Sequence, residues 1–513
     1  MLHYVQKFPS CFVLSLRCTN VTQSTQVHDL LVIGGGINGA GIAADAAGRG
    51  LDVVLCEKSD LAQATSSAST KMIHGGLRYL ENYEFALVRK ALKERELLSD
   101  IAQHIIRPLP IVIPHLPHLR PSWMVRIGLF FYDHLTRGRR FKGSCHVKFD
   151  DASPLQPELS HGYEYWDARV DDSRLVILNA IRAREHGASI LTRTECVHIE
   201  PAENNWRIQL KDNTTGQMRE VKAKAVVNAS GPWVAQLADK FTGQPAKHNV
   251  RLVKGSHIVI PKFYEAENAF LMQHADGRVI FVIPYQGQFT LIGTTEEEVK
   301  GSLDQTDISE QEIDYLINVT NQYFRQAISR SDIVHTFSGV RPLVEEAGKA
   351  MSQVSRGFKL EFEATPLPFL SVYGGKVTTY RLLAEKTLNK LARCFPKANQ
   401  PWTKTAPLPG GDFDSRESLA QDITARYAWL GTELRDRWCG TYGTLVYKVL
   451  DKASELSDLG ICFGHGLYQR EVDYLCEQEW AQTAEDILWR RSKLGLLFGD
   501  TERELLENYM RQK

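Results

Sequence analysis

Leu30-Leu31-Val32-Ile33-Gly34-Gly35-Gly36-Ile37-Asn38-Gly39 is the stretch that decides the architecture. Four consecutive apolar residues of strand length run straight into a glycine turn, the pattern of a strand buried on both faces. From Ala40 to Arg49 the chain is rich in small helix formers, Gly50 stops it, and Val53-Val54-Leu55 reads as a second buried strand ending at Glu57. The unit is strand, helix, parallel strand. Gly34, Gly36 and Gly39 keep the G-x-G-x-x-G spacing after a strand and at a helix start, the context in which that spacing is informative. Glycines there let the backbone touch a pyrophosphate, and the helix N-terminus offers unpaired N–H donors and partial positive charge. Glu57, roughly 20 residues onward, stands where a carboxylate bonds a ribose hydroxyl and disfavours a 2′-phosphate. NAD and FAD both fit this motif.

Outward from this unit, Phe85, Val88, Leu92, Leu98 and Ile101 mark one face of an amphipathic helix, with Arg89, Lys93, Glu94 and Glu96 on the other. Ala225-Val226-Val227 and Phe369-Leu370-Ser371-Val372 are short apolar runs suited to the same sheet as Leu30. Between them, β-rich segments from Arg251 to Pro261 and from Val279 to Thr294 predict an inserted antiparallel sheet over about residues 250–340. Pro407 to Gly411 reads as a hinge, after which charged helical periodicity predicts a helical C-terminal domain over 401–513. Residues 1–27 hold no carboxylate and a broken apolar stretch, and are expected to be a disordered extension; 28–400 then form the main α/β region.

At 513 residues the chain exceeds what one core organises, so two or three packed units are expected. With 61 basic against 61 acidic side chains there is no surplus to neutralise nucleic-acid phosphates, and any anion site must be local. The nine cysteines form no CxxC pair and no zinc-spaced cluster, and no EF-hand loop is visible, so no metal is expected. Arg126 and Asp133 interrupt the most apolar stretch, Trp123 to Leu135, so no spanning helix is expected.

Further along lie Ala64-Thr65-Ser66-Ser67-Ala68-Ser69 and Lys71-Met72-Ile73-His74-Gly75-Gly76-Leu77-Arg78-Tyr79-Leu80. With Asn228-Ala229-Ser230-Gly231-Pro232-Trp233, Lys254-Gly255-Ser256-His257, Ser338-Gly339-Val340-Arg341-Pro342 and Gly374-Gly375-Lys376-Val377-Thr378-Thr379, they closely resemble the FAD-dependent glycerol-3-phosphate dehydrogenases of the bacterial, aerobic respiratory type. The resemblance runs from about residue 28 to the C-terminus. It implies an α/β fold with a Rossmann-like FAD domain of the glutathione-reductase or D-amino-acid-oxidase type, the inserted β sheet covering the substrate. It also implies FAD held by Gly34, Gly36, Asn38, Gly39 and Glu57 on the adenosine half, by Thr65, Ser66, Ser67 and Ser69 near the pyrophosphate and ring, and by Gly231, Gly339, Gly375, Lys376, Val377 and Thr378. Backbone donors with Lys376 nearby suit the negative charge of a reduced flavin.

The same resemblance implies that Arg78, with Tyr79, and Arg341 bind the substrate phosphate, and that Arg356 adds a third contact. Guanidinium groups suit a phosphate dianion because they stay charged and offer paired donors. Oxidising a secondary alcohol needs a neutral base for the hydroxyl proton, and histidine fits. His257 and His74 lie inside the matched motifs; His257 is taken as the base and His74 as orienting substrate or flavin, an assignment that reverses without contradiction. The expected partners are sn-glycerol 3-phosphate, ubiquinone or menaquinone, an anionic membrane surface and a second copy of the chain in a homodimer, but not nucleic acid. The expected location is the inner face of the cell membrane, bound peripherally from the cytoplasm. Leu119 to Tyr132, followed by Arg137, Arg139, Arg140 and Lys142, combines apolar bulk with cations and suits such an anchor. A glycerol-3-phosphate oxidase reducing oxygen, an amino-acid or amine oxidase, and a flavin-binding interaction protein without turnover are the alternative readings.

Overall fold

The structure, a computed structural model, describes residues 22–116, 121–136, 138, 140–243, 247–299, 301–303, 306–345 and 357–513. Strand Thr22–Ile33 lies inside an eight-stranded sheet, flanked in parallel by Val53–Cys56 and Met218–Asn228. Leu30 to Ile33 are buried and register with Ala225 to Asn228, and Phe369–Gly374 pairs in parallel beyond them. The three apolar runs therefore share one sheet, because strands covered on both faces must be apolar throughout. The first strand begins at Thr22, inside the stretch expected to be an extension; residues 1–21 lie outside the described residues.

Helix Ile37–Gly48 packs tightly because it is built of small residues. A Cβ at Gly41 would stand 2.7 Å from the Tyr380 ring, and one at Gly48 would overlap Trp402. Helix Phe85–Ile101 forms as expected, with one difference. Glu94, assigned to the solvated face, is buried and takes a forked pair of bonds from Arg381 at 2.7 and 2.9 Å.

The second sheet has ten strands and is wider than the 250–340 insertion expected. Val250–Pro261, Ala269–Gln273, Val279–Tyr285, Phe289–Gly293 and His335–Val344 are joined by Ile106–Pro114, His161–Val170, Cys145–Lys148 and Met72–Ile73. Alternation is weak in these earlier strands, which hides them from a pattern-based reading; Ile106–Pro114 contains three prolines and one charge among its apolar residues.

The C-terminal part is helical, but its core is continuous with the first domain: Leu30, Ala43, Leu178, Leu383, Val446 and Leu475 belong to one apolar cluster. Pro407 to Gly411 is fastened rather than hinged, with Leu408 N–H donating to Ile101 O at 2.7 Å and Thr444 N–H to Gly410 O at 3.1 Å. Within this charged helical stretch Arg490, Arg491 and Lys493 are buried. Asp486–Arg491 is a π-helical turn that aims both arginines inward at Asp60, with Arg491 Nη1 and Nη2 at 2.7 and 2.8 Å.

Candidate active site

The glycine turn is shaped by close approach. Gly34 has φ +109°, and a Cβ at Gly39 would stand 1.9 Å from Gly34 O. Gly36 caps helix Ile37–Gly48 without a side-chain partner for its first amides, although Ile37 N–H reaches Ser66 Oγ at 3.0 Å. Glu57 closes the turn from the neighbouring strand, accepting from Gly35 N–H at 2.6 Å and Ser59 N–H at 2.8 Å. Burial pushes its carboxyl up, against the pull of those two donors. Ala229 and Ser230 lie against this turn, since a Cβ on Gly34 would strike Ala229 O at 2.7 Å and Ser230 Cα at 3.1 Å, and Gly231, with φ +60°, follows them.

Asn38 ties this turn to a distant loop, donating from Nδ2 to Gly374 O at 3.1 Å, while its buried Oδ1 has no partner among the described residues. An orphaned buried acceptor beside bare helix amides is what a dinucleotide with donor groups of its own would satisfy. The residues present fit FAD.

A cleft opens next to this cradle, lined by Thr65, Ser69, His74, Arg78, Tyr79, Gly339, Arg341, Gly375, Lys376, Val377 and Thr378 among others. Residues from three distant stretches thus converge. Lys376 Nζ lies 3.9 Å over the Tyr79 ring, a cation–π contact that keeps the ammonium at the cleft. Arg341 is aimed by Thr294, whose Oγ1 accepts from Nη2 at 2.9 Å. The guanidinium lies flat on its neighbouring strand only because residue 255 is glycine: a Cβ there would stand 2.5 Å from Nη2. Arg356 lies outside the described residues.

The two histidines are placed differently. His74 lines the cleft, with its backbone N–H on Thr378 Oγ1 at 3.3 Å. His257 is 0% exposed and one layer behind, its ring stacked on Phe337 at 4.8 Å and pressed against Gly293, where a Cβ would come within 2.2 Å. Burial, and then the charges of Arg341 and Lys71, hold its pKa well below the ordinary imidazole value, so the ring is neutral.

Several residues that support this arrangement carried no sequence signal. Asp172 is buried and gathers Ser69 N–H and Oγ (3.2 and 2.7 Å) and Lys71 Nζ (3.0 Å), while Lys493 comes from the C-terminal part to 3.9 Å. Burial alone would raise its pKa, but the two lysines and Ser69 hold it below the usual range. Ser69 and Ser67, expected at the flavin, spend their hydroxyls on Asp172 and on Ala64 O, and Thr65 Oγ1 donates to Val340 O at 2.7 Å. On the opposite wall Tyr132 Oη accepts from Gly75 N–H at 2.9 Å and donates to Asp167, which Arg95 neutralises at 2.9 Å.

The family described as FAD dependent oxidoreductase matches residues 29–381, and the C-terminal domain of alpha-glycerophosphate oxidase matches 401–511. A glycerol-3-phosphate dehydrogenase of Pseudomonas aeruginosa is 51% identical, covering 95% of this chain and 96% of its own. A D-erythritol 1-phosphate dehydrogenase of Brucella abortus is 47% identical over 93% and 96%. Among solved structures, the glycerol-3-phosphate dehydrogenase of Bacillus halodurans complexed with FAD superposes with a TM-score of 0.73 at 26% identity, covering 95% of each chain. The glycine cradle, the cationic cleft and this likeness along nearly the whole length lead to one assignment: the chain belongs to the FAD dependent oxidoreductases, in the family of FAD-dependent glycerol-3-phosphate dehydrogenases.

Proposed function

We propose that the protein oxidises sn-glycerol 3-phosphate to dihydroxyacetone phosphate. The observation that carries the reading is the meeting of Arg78, Arg341 and Lys376 in one cleft beside the dinucleotide cradle. Three cations there suit a phosphate dianion on a small polar substrate. FAD, held by the Gly34–Gly39 turn, Glu57, Asn38 and the Gly375–Thr378 wall, supplies the two-electron acceptor. The arginines and Lys376 fix the phosphate and so orient the carbinol, and a neutral imidazole is ready to take the hydroxyl proton at physiological pH.

The expected acceptor for the electrons is a membrane quinone. No described helix is long and apolar enough to cross a membrane. Helix Ser122–His134 instead buries Leu129 and Tyr132 and turns Trp123 (64% exposed), Met124, Ile127, Phe130 (57%) and Phe131 outward. Such a face suits an interfacial anchor on the cytoplasmic side of the cell membrane. Of the expected flanking cations, Arg140 is partly engaged by Asp100 at 2.7 Å, and Arg137 and Arg139 lie outside the described residues.

Anaerobic addition of sn-glycerol 3-phosphate to the flavin-loaded protein is expected to bleach the flavin. D-erythritol 1-phosphate, the substrate named for the Brucella relative, is the competitor arm, and faster bleaching by it reassigns the substrate. Peroxide formation in air against reduction of a quinone analogue separates the oxidase alternative. Trp123, Ile127 and Phe130 replaced together by serine should abolish sedimentation with anionic liposomes; unchanged binding discards the anchor.

A further inference from the structure

His257 has no opening of its own to the cleft. The ring is enclosed by Phe337, Gly293 and Thr70, and the only described hydrogen bond the ring makes is the one between Nε2 and Thr70 Oγ1, at 3.0 Å. Thr70 itself lines the cleft. The side chain bonded to the buried imidazole therefore belongs to a residue that lines the space where substrate would lie. The buried Nδ1 has no partner among the described residues, and in the Nδ1–H tautomer Nε2 accepts from the Thr70 hydroxyl.

Thr70 is held at both ends. Before it, Ser69 gives its N–H and its hydroxyl to Asp172. After it, Lys71 takes a left-handed conformation, φ +57°, its ammonium on Asp172 and Ser67 O and its carbonyl accepting from Val170 N–H at 2.9 Å. A non-glycine residue held at positive φ by a buried ion pair and a strand is a feature that fixes direction, and the direction fixed is that of the Thr70 side chain.

We propose that the Thr70 hydroxyl conducts the proton of the substrate carbinol to His257. This rests on the reading of the cleft as a site for polyol phosphate oxidation. In the step, the substrate O–H bond breaks and its proton joins Thr70 Oγ1 while the proton of Thr70 passes to His257 Nε2. Thr70 ends neutral and His257 ends as an imidazolium. FAD, when bound, would supply the acceptor for the hydrogen on the carbinol carbon and its electron pair, which leaves the carbon–oxygen double bond of the product. The charged groups facing His257 are Arg341 and Lys71, which oppose the imidazolium, and Asp172, which favours it. A substrate phosphate on Arg341 cancels the larger of these two oppositions, so the acceptor becomes more basic once substrate is seated.

Thr70→Val keeps the volume and removes the hydroxyl; Thr70→Ser restores it. The anaerobic reductive half-reaction, followed as flavin bleaching at saturating sn-glycerol 3-phosphate, is expected to slow by about 100-fold or more in the valine variant and to recover in the serine variant. The substrate concentration giving half-maximal rate should stay nearly constant, and the pH dependence assigned to His257 should disappear in Thr70→Val while flavin content and thermal midpoint stay put. Adding His257→Gln to Thr70→Val should cost little more than either alone, since both interrupt one route. The proposal is overturned if the valine variant bleaches as fast as the parent, or if the two losses multiply. A parent protein that stays yellow with sn-glycerol 3-phosphate and with D-erythritol 1-phosphate sinks the substrate reading and the conduit together, whereas normal bleaching by both parent and valine variant sinks the conduit alone.

Discussion

Replacing Arg341 with glutamine tests the cleft in two ways at once. The guanidinium is oriented before substrate arrives, by Thr294 at 2.9 Å and by the bare face of Gly255. The variant therefore loses formed binding geometry rather than a floating charge. Hydrogen bonds to charged groups contribute about 1.5 to 3 kcal/mol each, so losing a forked pair to a phosphate removes about 3 to 6 kcal/mol. At about 1.4 kcal/mol per tenfold, kcat/KM should fall by about 10²- to 10⁴-fold. Arg341→Lys keeps the charge without the fork and should fall in between. The second signature is electrostatic. Burial and then Arg341 hold the His257 pKa down, so removing that cation raises it, and the acid limb of kcat/KM moves to higher pH in the glutamine variant but not in the lysine variant. Steady-state rates with a quinone analogue across pH measure both. A glutamine variant whose kcat/KM stays near that of the parent, or whose rate collapses with the acid limb unmoved, refutes this account of Arg341.

Three further outcomes are expected. Gly293→Ala places a methyl 2.2 Å from the His257 ring, so the imidazole must move off Thr70; bleaching should slow by about 10-fold or more, with little change in phosphate affinity, as measured by stopped-flow and inorganic phosphate inhibition. His104 is buried with neither ring nitrogen bonded among the described residues, and burial, with Arg174 and Arg416 beside it, lowers its pKa to about 3. Because that folded value lies below the unfolded value of about 6.5, its contribution is complete above that pH and is lost as pH falls toward 3, at about 1.4 kcal/mol per pH unit; His104→Leu should flatten the acid side of a Tm-against-pH curve. Arg491→Met leaves Asp60 buried against a single arginine and should cost about 3 to 5 kcal/mol in urea unfolding, whereas an unchanged midpoint would show the pair to be idle.

What the sequence showed plainly was local. The strand, the glycine turn and Glu57 lie within thirty residues of one another, so spacing alone sets their geometry. Arg78, Tyr79, Arg341 and Lys376 were visible only through resemblance, since no periodicity connects positions that meet across two sheets. Thr70, Asp172, Thr294 and Asp60 were missed because their partners are distant: Thr70 and His257 are separated by 187 positions, Asp60 and Arg491 by 431. The burial of Arg490, Arg491 and Lys493 runs against the usual meaning of a charged helical run. It becomes intelligible only with the carboxylates of Asp60, Asp486 and Asp171 in place around them.

Asp60 follows the second strand of the nucleotide unit, yet its buried carboxylate is matched by arginines drawn from the last twenty-four residues of the chain. During synthesis the turn carrying Glu57 to Asp60 would wait, with an unmatched charge, until the chain 431 positions further on had emerged from the ribosome. A product cut before residue 490 would keep its whole glycine motif and yet leave the Asp60 carboxylate without either guanidinium, so the nucleotide turn and the segment that carries Arg490 and Arg491 stand or fall together.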